Sequence, residues 1–168
     1  MLAAGPAASV AAVKPAQANA RPGDRGDIPR ITQMALEFWP QTGYGIPADT
    51  GSIIRLAARC IDEGLMTILE VEGAAVGFLA GLKSPCIAND QIIIGSEIAY
   101  WVDPEYRSEG NGYLLLTAAE QAAEQAGVHV WAMMSLEAVE PDKVDKLYKS
   151  MGYVPGEHSY SKRLAWPQ

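Results

Sequence analysis

The sequence predicts an α/β fold in which a mixed β-sheet carries helices on both faces, and three observations predict it. The elements follow one another as β-α-α-β-β-β-α-β-α-β-β along 168 residues. A tight Glu72-Gly73 turn joins two apolar runs, Met66–Val71 and Ala75–Leu82, making them antiparallel neighbours. Between Ile92 and Leu136 an apolar strand, a glycine turn, an amphipathic helix and another strand occur in succession, the arrangement of a crossover between parallel strands.

Each element has its own warrant. Residues 1–15 are predicted to be a disordered Ala-rich leader, and residues 16–168 one domain. A first strand is expected near Ala16–Arg21. Asp24 or Asp27 can cap a helix with Ile28, Ile31, Met34, Ala35 and Phe38 on one face, stopped by Pro40. Gln41–Ala48, with two glycines and a proline, reads as a loop. A second helix starts at Asp49 or Thr50, has Ile53, Ile54, Leu56, Ala57, Cys60 and Ile61 as its apolar face, and ends at Gly64. Lys83–Asp90 holds Pro85 and Asn89 and reads as a long connection to the strand Ile92–Val102. A helix to about Gln125 stops at Gly127, and the strand Val128–Leu136 follows. Asp142–Met151 is a short helix stopped by Gly152. Tyr153-Val154 with Tyr160–Leu164 suggests a closing hairpin.

Composition excludes several classes. A net charge of -7 disfavours a nucleic-acid binder and favours a cationic partner such as an amine. The two cysteines, Cys60 and Cys86, have no metal-ligand spacing, so neither a metal nor a disulfide framework is expected, and a cytoplasmic location is. No apolar run approaches the ~18 residues of a membrane span. Ala18-Asn19-Ala20 resembles a cleavage site, but no positive segment precedes it.

The stretch Arg107-Ser108-Glu109-Gly110-Asn111-Gly112 carries the chemistry. Two glycines at a helix start let the backbone approach a ligand, and the free first-turn N–H groups favour an anion. Arg107 adds a forked cation suited to phosphate oxygens. The Lys-Ser/Thr of a nucleotide-hydrolase loop is absent, and so is the third glycine of a dinucleotide fingerprint. A diphosphate cradle is one reading; a purely structural strand-to-helix turn is the other.

Residues 96–107, then Gly110-Asn111-Gly112-Tyr113-Leu114-Leu115, then Leu147-Tyr148-Lys149-Ser150-Met151-Gly152-Tyr153, together resemble the GNAT superfamily of acyl-CoA N-acyltransferases. The ending, Gly152–Pro155 followed by His158–Lys162, looks most like its phage and prophage members. The resemblance implies the GNAT fold, a centrally splayed mixed sheet, in a single N-acetyltransferase domain over residues 16–168. It implies acetyl-CoA or a short acyl-CoA as co-substrate, and a small-molecule or peptide amine as acceptor. A homodimer is common in the family. The turn's backbone, Ser108, Gly110, Asn111 and Gly112, would hold the CoA pyrophosphate, with Arg107 opening the motif. Trp101-Val102 would pair with the pantetheine arm in a gap between strands, and an N–H near Val102 would hold the oxyanion.

By the same resemblance Tyr148 is the general acid that protonates the departing thiolate, and Glu97 the base, directly or through water. Strand alternation puts Glu97 on one face with Ala99 and Trp101. The other reading of Tyr148 is a core aromatic, and of Glu97 a solvated or ion-paired strand residue. His129, more structural by position, and His158 are substitutes for the base. Two positions depart from the family pattern: Pro141 stands where an asparagine is frequent, and Glu109 where a basic residue or glutamine is. Phe38–Pro47 occupies the region that shapes the acceptor pocket in the family, with Trp39 and Tyr44 as candidate lining. Two competing functions are a CoA-binding or structural protein without transfer activity, and a partner-binding protein using a Trp-rich surface.

Overall fold

The computed structural model describes residues 17–107, 110–157, 159–162 and 164. The expectations for the leader, for Ser108 and Glu109 and for His158 therefore lie outside the described residues. Five strands form one sheet in the order β1-β2-β3-β4-β5. They are β1 (Ala18–Pro22), β2 (Met66–Val71), β3 (Ala74–Cys86), β4 (Asn89–Val102) and β5 (Val130–Ala132). The first four are antiparallel, and β5 runs parallel to β4. Helices α1 (Ile28–Phe38) and α2 (Thr50–Asp62) pack on one face, and α3 (Asn111–Gln125) and α4 (Pro141–Ser150) on the other. The expected mixed α/β sheet with helices on both faces is what forms.

Local chemistry explains the starts and stops. Asp24 accepts from the Gly26 N–H at 2.6 Å while Asp27 accepts from the Asp24 N–H at 2.9 Å, a reciprocal cap on the 3₁₀ turn that leads into α1. Arg21 clasps Asp27 through both η nitrogens and reaches Glu70 through Nε, tying β1 to this corner. That guanidinium holds the Asp27 carboxyl below the usual carboxylate range. Asp49 caps α2 by accepting from the Ser52 N–H at 2.7 Å. Glu72 (φ 52°) and Gly73 (φ 83°) are both left-handed, the backbone a two-residue hairpin of this twist requires.

Two apolar layers result. Ile31, Met34, Ala57, Cys60, Ile68, Phe78 and Trp101 fill the space under α1 and α2. Leu69, Val76, Leu79, Val102, Leu115, Leu116 and Tyr148 fill the space under α3 and α4. Cys60 is fully buried and burial pushes its thiol up to about 11, which makes it an inert core residue. Trp101 is buried and Trp39 and Trp131 are half-buried, so these three do not form an exposed aromatic surface. Among the described residues no helix is long and apolar enough to cross a membrane, and no cluster of His, Cys, Asp and Glu could hold a metal ion.

Three expectations are corrected. Lys83–Asp90 is not a long connection: β3 and β4 continue to the Cys86–Asn89 pair and turn over two residues. Pro85 fits there because β2 pairs with β3 only as far as Ala80, leaving an open edge with no need for an N–H donor. The strand expected over Val128–Leu136 shrinks to Val130–Ala132, and beyond it the Met134 N–H and C=O bond to the side chains of Glu97 and Tyr148. No closing hairpin forms among the described residues beyond Gly152.

Trp131 explains two glycines. A Cβ on Gly95 would sit 2.6 Å from its Cε3, and one on Gly81 would sit 2.3 Å from its Cη2, so the indole lies across bare backbone of β3 and β4. Gly95→Ala should lift the ring and cost about 1–3 kcal/mol of stability. Urea unfolding of the two proteins measures it; an unchanged midpoint would mean the ring has another seat.

Candidate functional site

The site forms where β4 and β5 part. They pair only at Ile94–Ser96 against Val130–Ala132. From Glu97 onward β4 has no partner on that side among the described residues. Its backbone directions follow from its other neighbour. The Asp103 N–H donates to the Val76 carbonyl at 2.8 Å, and Trp101 lies opposite Phe78, so both turn toward β3. By strand alternation Tyr100 and Val102 turn their N–H and C=O groups into the gap. The open edge is therefore offered by Tyr100 and Val102, whereas the sequence suggested Trp101 and Val102.

A bulge decides where Glu97 points. The register shifts between Ala80 and Gly81, which pair with Ala99 and Glu97, so Ile98 is the extra residue. Ile98, Ala99 and Trp101 pack toward α1 and α2, and Tyr100 and Val102 toward α3 and α4. Glu97 does not share the face of Ala99 and Trp101, as simple alternation suggested. Its carboxyl sits with Tyr100 and Tyr148 in a cleft and accepts from the Met134 N–H at 3.1 Å. The Tyr148 hydroxyl donates to the carbonyl of the same residue, Met134, at 3.0 Å. These two bonds satisfy the Met134 backbone, which lies beyond the end of β5.

The electrostatics follow from burial. Glu97 is 5% exposed, and desolvation pushes its carboxyl up to about 7 despite the stabilising Met134 N–H. Tyr148 is raised above the ordinary phenol value by burial first, and then by the charge on Glu97, so its hydroxyl stays protonated at neutral pH. Tyr100 goes up to about 12 for the same reasons. Sequence reasoning passed over Tyr100. Its hydroxyl lies under the first turn of α3, 2.6 Å from where a Gly112 Cβ would be. Gly112 is thus required by a close approach, and Gly110 by its left-handed φ of 81°.

The remaining expected residues fall around the start of α3. Gly110 precedes the helix, and Asn111 and Gly112 begin it, leaving first-turn N–H groups without helical acceptors. The Asn111 side chain is turned inward, its Nδ2 donating to the Tyr106 carbonyl at 3.0 Å. Arg107 donates from Nε to the Val102 carbonyl at 2.8 Å and lays its guanidinium 4.6 Å from the Trp101 ring centroid. Trp101 in turn donates from Nε1 to Asp103 at 2.9 Å, and Asp103 is ion-paired with Arg30. Trp101 is a platform for Arg107. His129 accepts the Ile93 N–H on Nδ1 and holds the far end of β5 to β4, away from the cleft. Pro141 occupies the first turn of α4, where its missing N–H costs nothing.

The comparisons agree with this architecture. The profile of the acetyltransferase (GNAT) domain family matches residues 62–155. None of the curated proteins matches the chain. Among solved structures, an aminoglycoside N-acetyltransferase in complex with CoA is similar at a TM-score of 0.70 and 15% identity, over 90% of this chain and 97% of that one. A ribosomal-protein-alanine N-acetyltransferase from Brucella melitensis biovar Abortus 2308 is similar at 0.69 and 16%, over 88% and 99%. A predicted acetyltransferase with acetyl-CoA from Clostridium acetobutylicum is similar at 0.67 and 16%, over 88% and 96%. At these identities the structures share the fold, and the profile spans more than half of the sequence. The chain belongs to the GNAT acetyltransferase family.

Proposed function

We propose that this acetyltransferase moves an acetyl or other short acyl group from acyl-CoA to a primary amine by direct attack, with Glu97 as base and Tyr148 as acid. The observation that carries the reading is the convergence of the Glu97 carboxyl and the Tyr148 hydroxyl on Met134, at the inner end of the gap between β4 and β5. The acyl-CoA supplies a thioester carbonyl open to attack and a thiolate leaving group.

The residues present fit such a co-substrate. The backbone edge at Tyr100 and Val102 would take the pantetheine arm, and one of its N–H groups the developing oxyanion. The amides of Gly110, Asn111 and Gly112 would face the pyrophosphate. Among the described residues, none beyond its chain neighbours lies within 4 Å of where a Gly110 Cβ would be. Arg107 keeps its η nitrogens for phosphate while Nε anchors the turn to Val102.

Deprotonation is the harder half. An alkylammonium titrates near 10.4, so a proton transfer to a carboxylate at 4.5 runs uphill by about 6 pK units. With Glu97 at about 7 the gap narrows to roughly half, which is what burial achieves here. The Tyr148 hydroxyl, which donates to the Met134 carbonyl, would be the group that protonates the departing thiolate. The likeness of residues 152–162 to phage members rests on sequence alone.

The test is steady-state release of free thiol from acetyl-CoA with a panel of amines, alongside thermal unfolding with CoA. Turnover with stabilisation by CoA is expected. Stabilisation without turnover on any amine would make the chain a CoA-binding protein, and no stabilisation at millimolar CoA would sink the reading. Arg107→Ala should raise the KM for acetyl-CoA by about 10- to 100-fold and leave kcat nearly unchanged, since one charge-assisted contact is worth about 1.5–3 kcal/mol.

A further inference from the structure

The cleft that holds Glu97 and Tyr148 has a volume of about 100 Å³ and is lined mainly by aromatic and aliphatic side chains, with Thr42 and three tyrosines as its hydroxyl-bearing members. Phe38, Trp39 and Tyr44 come from the end of α1 and the segment after it; Leu136, Val139 and Val144 come from the segment after β5 and from α4. The two sides meet where a Cβ on Gly43 would touch the Ala138 Cβ at 3.4 Å. The Trp39 and Tyr44 rings lie 5.8 Å apart, and Trp39 donates from Nε1 to the Ile46 carbonyl at 2.6 Å, which fixes this wall in place. Among the described lining residues Glu97 is the only carboxylate.

We infer that the acceptor is a monoamine on an apolar body, an arylalkylamine or alkylamine, whose single ammonium meets Glu97 while its carbon skeleton lies along the aromatic and aliphatic walls. The inference rests on the proposed acyl transfer and specifies its substrate class. One buried carboxylate balances one positive charge. A polyamine or an aminoglycoside would bring further ammonium groups against Phe38, Leu136 and Val139, where each loses water and gains no anion. A small hydroxyl-bearing amine such as ethanolamine carries too little carbon to gain from these walls. The size agrees: a dry cavity of about 150 Å³ holds benzene, so this cleft takes an aminomethyl group and a few carbons, with the rest directed to the mouth.

Thiol release from acetyl-CoA, followed with phenethylamine, hexylamine, ethanolamine and spermidine, tests the inference. We expect kcat/KM for the first two to exceed that for ethanolamine and spermidine by about 10- to 100-fold. Equal or higher values for spermidine would overturn it. Val139→Asp should lower phenethylamine turnover at least about tenfold and raise that of spermidine, with the KM for acetyl-CoA unchanged. Tyr44→Ala, at an exposed ring, should weaken phenethylamine alone and serves if the aspartate variant does not fold. Should no amine release thiol, the transfer reading fails; phenethylamine binding, titrated by tryptophan fluorescence with spermidine as control, then decides the inference separately. Binding of phenethylamine alone would uphold the class of ligand, and binding of neither would overturn it.

Discussion

Glu97→Gln should make the protein more stable and far less active. Gln keeps the shape and can still accept the Met134 N–H, but it removes the titrating carboxyl. Activity at neutral pH should fall by about 100-fold or more, the usual loss for a general base. The wild-type kcat/KM profile should show a break near pH 7, with activity falling as Glu97 takes up its proton below it. The variant should lack that break. Tyr100 and Tyr148, the titratable neighbours in the cleft, do not ionise in this range and cannot supply it.

The stability change has a definite sign. In the folded protein Glu97 holds its proton up to about 7, whereas the ordinary value is 4.5. Below that ordinary value both states are protonated and the group costs nothing. As pH rises through the interval between the two values, the unfolded chain releases its proton first, so the folded state loses stability. Above pH 7 the loss is complete, of the order of 3 kcal/mol. Glu97→Gln should therefore raise the unfolding midpoint at alkaline pH and leave it nearly unchanged at acid pH. Unfolding curves at both ends measure this, and a variant less stable than wild type at alkaline pH would mean that Glu97 is held by a partner stronger than the Met134 N–H.

Tyr148→Phe should lower kcat by about 100-fold or more while leaving the KM for acetyl-CoA close to wild type, because the hydroxyl acts on the leaving group and not on binding. The ring itself stays, packed 5.5 Å from Tyr153. The structural loss is one hydrogen bond and a carbonyl at Met134 left without its donor, about 1 kcal/mol. That separation matters, since a tyrosine serving only the core would show the stability loss without the kinetic one. Full retention of turnover in Tyr148→Phe would remove Tyr148 from the mechanism.

Much of the architecture was legible from local chemistry. Asp49 before an apolar stripe, Glu72-Gly73 between two short runs and Gly110-Asn111-Gly112 before a helix each specify backbone within a few residues, and the structure has them there. The family was legible as well, from motifs at fixed spacing. Errors arose where a distant partner set the outcome. Pro85 reads as a breaker until β2 is seen to end short of it. Val128–Leu136 reads as one strand, but β4 and β5 part after Ser96 and Ala132, and Met134 bonds to side chains from distant elements.

The sequence by itself determined the class of fold, the helix caps and turns, the glycine turn and the identity of Glu97 and Tyr148 as candidates. The fold class, caps and turns follow from short-range sterics, capping and periodicity, and the two candidates from the resemblance of their motifs to the GNAT family. Only the tertiary structure decided which way Glu97 points. One extra residue at Ile98 reverses the alternation, because each residue added to a strand moves every side chain before it to the opposite face. That reversal takes a carboxylate from the face of Trp101 to the face of Tyr148, buries it, and raises its pKa from 4.5 to about 7.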